Sequence, residues 1–138
     1  MIKSLNTLIK LQKNKLNSLR TLIGRLETQI SLLEKKLEKL QLEKKQELEE
    51  YANTRYSYIL EQYLMVINKR EHDLNTNIQA ITNEILNSER KLHMEYSELK
   101  KYEIALKNKL HKEFLAQQKL ENNMLDEISI TRFNSNKT

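Results

Sequence analysis

Starting at Ile2 and stepping alternately three and four residues, the chain reads Ile2, Leu5, Ile9, Gln12, Leu16, Leu19, Ile23, Leu26, Ile30, Leu33, Leu37 and Leu40. Gln12 is the one polar residue in this series. A spacing of 3.5 residues sustained over nearly six heptads is the signature of a left-handed coiled coil, because it keeps one narrow apolar seam on one side of a helix. Strands alternate every two residues and cannot produce it. Gly24 lies beside the seam residue Ile23 and costs about 1 kcal/mol of helix propensity relative to alanine, which the surrounding heptads can absorb.

The composition agrees. In 138 residues there is one glycine and no proline, the two residues that punctuate turns, so few connections are expected. Aromatic residues reach only 6%, while 31% of the chain is charged, which suits a thin solvated rod better than a thick core. No cysteine is present, so disulfides, thiolate metal sites and thiol nucleophiles are all excluded. No apolar run approaches the roughly 18 residues of a membrane span, and the opening Met1 to Leu5 has no continuous apolar stretch of the secretory kind.

After Leu40 the next seam positions are Lys44 and Glu47, and the pattern fails ahead of Tyr51 to Ser57. The turn is therefore expected at about 51–57, where Asn53, Thr54 and Ser57 can cap a second helix. A weaker alternative is Asp73 to Asn77, which is also rich in capping residues. The seam resumes at Ile78, Ile81, Ile85, Leu92, Leu99, Tyr102 and Leu106, with Ser88 and Glu95 as interruptions. It then drifts to four-residue steps at Leu110 and Phe114 and recovers at Leu120, Met124 and Ile128. The expected architecture is all-α: an antiparallel two-helix coiled-coil hairpin, with helices at about 2–50 and 58–130 and a disordered tail at 131–138. In this arrangement Leu5 lies opposite the region of residue 103, and the second helix overhangs the first.

Nothing in the chain points to catalysis. His72, His93 and His111 are too far apart to form a helical metal pair, which needs three- or four-residue spacing. A single glycine cannot build a phosphate loop, and carboxylates such as Glu47, Glu49 and Glu50 form a charged face without a cleft to shift their pKa values. No cofactor, metal or small-molecule substrate is expected.

Charge and tyrosine placement instead suggest two protein-binding regions. Residues 1–26 carry Lys3, Lys10, Lys13, Lys15, Arg20 and Arg25 with no acid, and Lys107, Lys109 and Lys112 lie on the second helix. This basic region can be a solvated face, a contact for an acidic protein surface, or a contact for nucleic acid or anionic lipid. Zipper-type DNA readers place a dense basic block ahead of their heptads, whereas here the heptads run through the basic residues, which argues against nucleic acid. Tyr51, Tyr56, Tyr58 and Tyr63 cluster at the expected turn. Tyrosine offers large contact area at low entropic cost, so this tip can bind a partner or cap the coil on itself.

The segments Lys3 to Leu11, Glu98 to Glu103 and Asp126 to Ile128 give the chain a resemblance, over nearly its full length, to the FliJ family, the small coiled-coil component of the flagellar type III export apparatus. This resemblance implies an antiparallel hairpin similar to the central stalk of rotary ATPases. Its paired termini, Lys3 to Arg25 and the facing Lys100 to Lys119, would enter a hexameric export ATPase. The tyrosine tip would meet the cytoplasmic domain of the export gate, and export chaperones would be further partners. The implied location is cytoplasmic, peripheral to the inner-membrane export apparatus and without membrane insertion. The chain is less arginine-rich and more asparagine-rich than the family. The alternatives are the equivalent stalk of a virulence secretion system and a generic scaffolding coil.

Overall fold

A computed structural model describes residues 1–51 and 57–136. Two helices account for all of them but Met1: α1, Ile2–Tyr51, and α2, Ser57–Asn136. They pack against each other as an all-α helical hairpin, as expected from the seam. Asn53, Thr54 and Tyr56, which the sequence places at the turn, lie outside the described residues. The alternative turn at Asp73 to Asn77 is excluded, since these residues lie inside α2.

The seam of α1 is where the spacing puts it. All twelve positions from Ile2 to Leu40 are buried or half-buried, and every other residue in that interval is exposed. Leu16 at 3% and Leu26 at 5% exposure are the most covered of its apolar members. The seam then continues where the sequence has it fail, because Lys44 and Glu47 are also half-buried. A lysine can occupy a seam position when its methylene stem lies along the apolar surface and its ammonium finds an anion. The Lys44 ammonium lies 3.6 Å from the Glu71 carboxylate and donates a 2.8 Å hydrogen bond to Asn68.

On α2 Leu60, Leu64, Ile67, Glu71, Leu74, Ile78, Ile81, Ile85, Ser88, Leu92, Glu95, Leu99, Tyr102, Leu106 and Lys109 are all covered, an unbroken alternation of three and four residues, and Tyr63, Glu98 and Glu103 beside this line are half-buried too. Ser88 and Glu95 are therefore members of the seam and not interruptions. The seam also begins well before Ile78.

Contacts divide the chain into two compact units, one formed by residues 1–15 with 95–138, the other by residues 16–94. In the first unit the Gln12 side-chain amide donates to the Glu95 backbone carbonyl at 2.8 Å and to the Glu95 carboxylate, while the Lys109 ammonium approaches the Met1 sulfur. Lower numbers on α1 thus meet higher numbers on α2, the antiparallel sense, and Leu5 falls between these contacts as its pairing near residue 103 requires. In the second unit, Lys36 to Glu43 face Arg70 to Asn77 across one groove and Glu47 and Tyr51 face Ile59 to Tyr63 across another, again antiparallel. Within the described residues the core is a single seam deep, and no large side chain is fully enclosed.

Helix α2 reaches Asn136, past the residue 130 at which the sequence reading ends it. No proline or glycine stops it, and the Thr131 hydroxyl donates to the Glu127 carbonyl within the helix. No helix among the described residues is long and apolar enough to cross a membrane.

Candidate protein-binding surfaces

At the end of the second unit, Tyr51 and Tyr63 face each other across a groove of about 400 Å³ that they line with Glu47, Ile59 and Leu60. The two tyrosines approach because Tyr51 closes α1 while Tyr63 lies close to the seam of α2, one residue before Leu64. Tyr63 is half-buried, and this burial pushes its phenol above the ordinary value of 10.0. Glu47 and Glu43 push in the same direction, while Arg70 draws it back. Tyr58 behaves differently. It is 70% exposed, and its hydroxyl accepts a 2.9 Å hydrogen bond from Gln62 one turn later. Of the four tyrosines singled out in the sequence, two therefore form a recess and one projects, while Tyr56 lies outside the described residues.

The basic residues divide unevenly between the units. Residues 1–15 with 95–138 hold twelve Lys and Arg against seven Asp and Glu, and residues 16–94 hold twelve of each. The whole net charge of +5 therefore belongs to the first unit. In that unit Lys3, Lys10, Lys13, Lys15, Lys107 and Lys112 are exposed and Lys109 is half-buried. Arg20 and Arg25 are exposed residues of the second unit. Lys100 is already engaged: its ammonium lies 3.2 Å from Glu103 and 5.2 Å from the centre of the Tyr96 ring. The hydrogen bond to Glu103, followed by that to Tyr96, holds it above its ordinary value against the opposing cost of desolvation. Lys101 pairs with Glu98 at 3.4 Å. Such exposed local pairs contribute little to stability, but they reduce the charge that Lys100 and Lys101 present outward.

The third surface lies where the sequence reading has the seam drift and the second helix overhang the first. Every residue from Leu110 to Asn136 is exposed. These include Leu110 at 48%, Phe114 at 63%, Met124 at 58% and Ile128 at 49%. These four share one side of the helix, with Leu115, Ile130 and Phe133 exposed on other sides, and a run of large apolar side chains on a bare helix is of the kind that docks against another helix. The signal was present in the sequence, since the heptads of α1 are spent before α2 reaches this stretch.

Among the described residues no group of three or more histidines, cysteines, aspartates or glutamates could hold a metal ion. The groove at Lys36 to Glu43 and the groove at Glu47 and Tyr51 are each lined by side chains of both helices.

Comparison with known proteins returns nothing: no family model, no curated protein and no solved structure matches this chain.

Proposed function

We propose that this chain is a non-catalytic adaptor that acts by binding proteins, as a stalk of the FliJ type on a hexameric export ATPase of a flagellar or virulence secretion system. The observation that carries the reading is the first unit, residues 1–15 with 95–138, in which the entire net charge of +5 and the bare apolar stretch from Leu110 to Ile128 occur together. A cationic surface steers association with an acidic partner, and exposed apolar side chains give the complex its lifetime. The basic residues Lys3, Lys10, Lys13 and Lys15 would be the ring-facing set on α1, with Lys107, Lys109 and Lys112 on α2. Arg20 and Arg25, in the other unit, would contribute less. At the tyrosine end the projecting Tyr58 is the better anchor for an export-gate contact, since Tyr63 is already occupied in lining its own groove.

The test is stimulation of a purified hexameric flagellar export ATPase by the full chain. The triple variant Lys10→Glu, Lys13→Glu, Lys15→Glu is expected to lose that stimulation, and raised salt is expected to mimic the loss, since exposed charges are screened within about 10 Å at 0.1 M. All three lysines are exposed and lie off the seam, so the variant remains helical. Absence of stimulation by the unaltered chain at low salt removes the stalk reading and leaves the scaffolding alternative, which the exposed stripe on α2 also supports.

A further inference from the structure

The apolar stripe beyond Lys109 is out of phase with the hairpin seam. On α2 that seam runs Leu99, Tyr102, Leu106, Lys109. Continued in the same alternation it would pass through Glu113, Ala116, Leu120, Asn123, Glu127 and Ile130, half of them polar. Four of the exposed apolar residues, Leu110, Phe114, Met124 and Ile128, lie on a different line that also passes through Gln117 and Glu121 and is likewise spaced alternately by four and three, while Leu115, Leu120, Leu125, Ile130 and Phe133 lie off it. A helix lying along the hairpin seam would leave this second line uncovered. It is a seam of its own, made for another helix.

That line is symmetric about residue 119. Leu110 and Ile128 are equidistant from it, as are Phe114 and Met124, and Gln117 and Glu121. Laid antiparallel on a second copy of itself, the segment matches Leu110 with Ile128, Phe114 with Met124 and Gln117 with Glu121, each pair occurring twice around a two-fold axis. Leu120, 59% exposed, flanks the line at the axis and would meet its own copy. The inner polar pair already has a counterpart in the molecule. Gln12 and Glu95 form the same amide-to-carboxylate contact across an antiparallel seam. In the isolated chain Gln117 donates to Glu121 within α2, at a long 3.4 Å.

Charge selects the same arrangement. Residues 107–119 hold Lys107, Lys109, Lys112 and Lys119 against Glu113, and residues 121–127 hold Glu121, Asp126 and Glu127 with no base. Antiparallel pairing lays the basic block over the acidic one, whereas parallel pairing sets Glu121 against Glu121 inside the seam. Glu113 of one copy does approach Glu127 of the other along the flank, which limits the affinity.

We propose that residues 110–128 of α2 are a homodimerisation segment, pairing antiparallel with the same segment of a second copy of this chain about residue 119. This pairing does not require the stalk reading, but it uses the same exposed stripe that the stalk reading gives to its partner, so the second copy and that partner would compete for it.

Sedimentation velocity on the full chain over a range of concentrations tests the proposal. A reversible monomer–dimer equilibrium is expected, and Phe114→Asp is expected to abolish it while circular dichroism stays helical, because Phe114 is 63% exposed in the monomer. Gln117→Glu sets two carboxylates against each other at each inner layer and should weaken the dimer roughly tenfold or more. Adding Glu121→Gln to that variant recreates the pair in reverse and should restore association, which no unrelated partner surface would do. With no native cysteine in the chain, Leu120→Cys should form a disulfide-linked dimer readily and Leu110→Cys should not. A chain that stays monomeric at about millimolar concentration, a dimer indifferent to Phe114→Asp, a failure of the swapped pair to restore association, or equal crosslinking at Leu110→Cys would each overturn the proposal.

Discussion

Gln12 of α1 donates its side-chain amide to both the backbone carbonyl and the carboxylate of Glu95 of α2, so two residues that look like flaws in their separate heptads complete each other. Gln12 is 4% exposed, about as covered as the next seam residue, Leu16. Lys44 and Glu71 repeat the device in the second unit. An apolar seam alone tolerates a slide by one heptad, since leucine meets leucine again seven residues on. A slide here would leave a covered amide without its carboxylate, so the polar pair fixes the register at a cost in stability.

Replacing both partners, Gln12→Leu with Glu95→Leu, is expected to raise the thermal midpoint while loosening the register. A cysteine pair at Leu5 and Tyr102 should crosslink efficiently in the parent chain. In the double-leucine background, crosslinking of Leu5→Cys with Lys109→Cys, one heptad away, should rise at its expense. Gln12→Leu alone strands the Glu95 carboxylate beside an apolar face and should cost roughly 1 kcal/mol. Unfolding curves for the two variants that shift together in the same direction would contradict this account.

Gly24 is exposed, has ordinary helical backbone, and a methyl group added there would meet nothing within 4 Å. Gly24→Ala is therefore expected to stabilise the chain by about 1 kcal/mol, through helix propensity and a less flexible unfolded state. Chemical denaturation would show the midpoint moving up with no change in slope.

Alkaline titration should single out Tyr63. Its folded form holds the phenol above 10.0, first by burial and then by Glu47 and Glu43. The unfolded chain gives up that proton at lower pH, so the contribution of protonated Tyr63 to stability is complete below about pH 10 and is lost as pH rises through the folded value. Tyrosinate absorbance should show a component ionising above pH 10, and Tyr63→Phe should remove it.

Sequence and structure agree most closely where identity and position coincide. From Ile2 to Leu40 nearly every covered position is Leu or Ile, so the spacing alone locates the seam. The same search falters at Lys44, Glu47, Glu71, Ser88 and Glu95, because periodicity is recognised by apolar identity, whereas Lys44, Glu71 and Glu95 hold their positions through polar contacts across the hairpin and Glu47 and Ser88 are covered despite being polar. Leu60, Leu64, Ile67 and Leu74 could have been found by running the alternation backwards from Ile78 through Glu71. For the binding surfaces, clustering in sequence foretold that Tyr51 and Tyr63 would come together but not that Tyr58 would project, which depends on its angle around α2. The basic residues separate into two units because the division falls at Leu16 in α1, a boundary that composition does not mark.

A core only one seam deep also has a calorimetric consequence. The heat capacity of unfolding follows the apolar area newly exposed to water, and in this chain much of that area is wet already, from Leu8 and Leu11 on α1 to Ile128 and Ile130 on α2. Its increment per residue should fall below the roughly 12–15 cal/mol/K of compact domains. The stability curve is then shallow, with little difference between its value in the cold and at moderate warmth, and the chain stays folded over a wide span of temperature without being very stable at any of them.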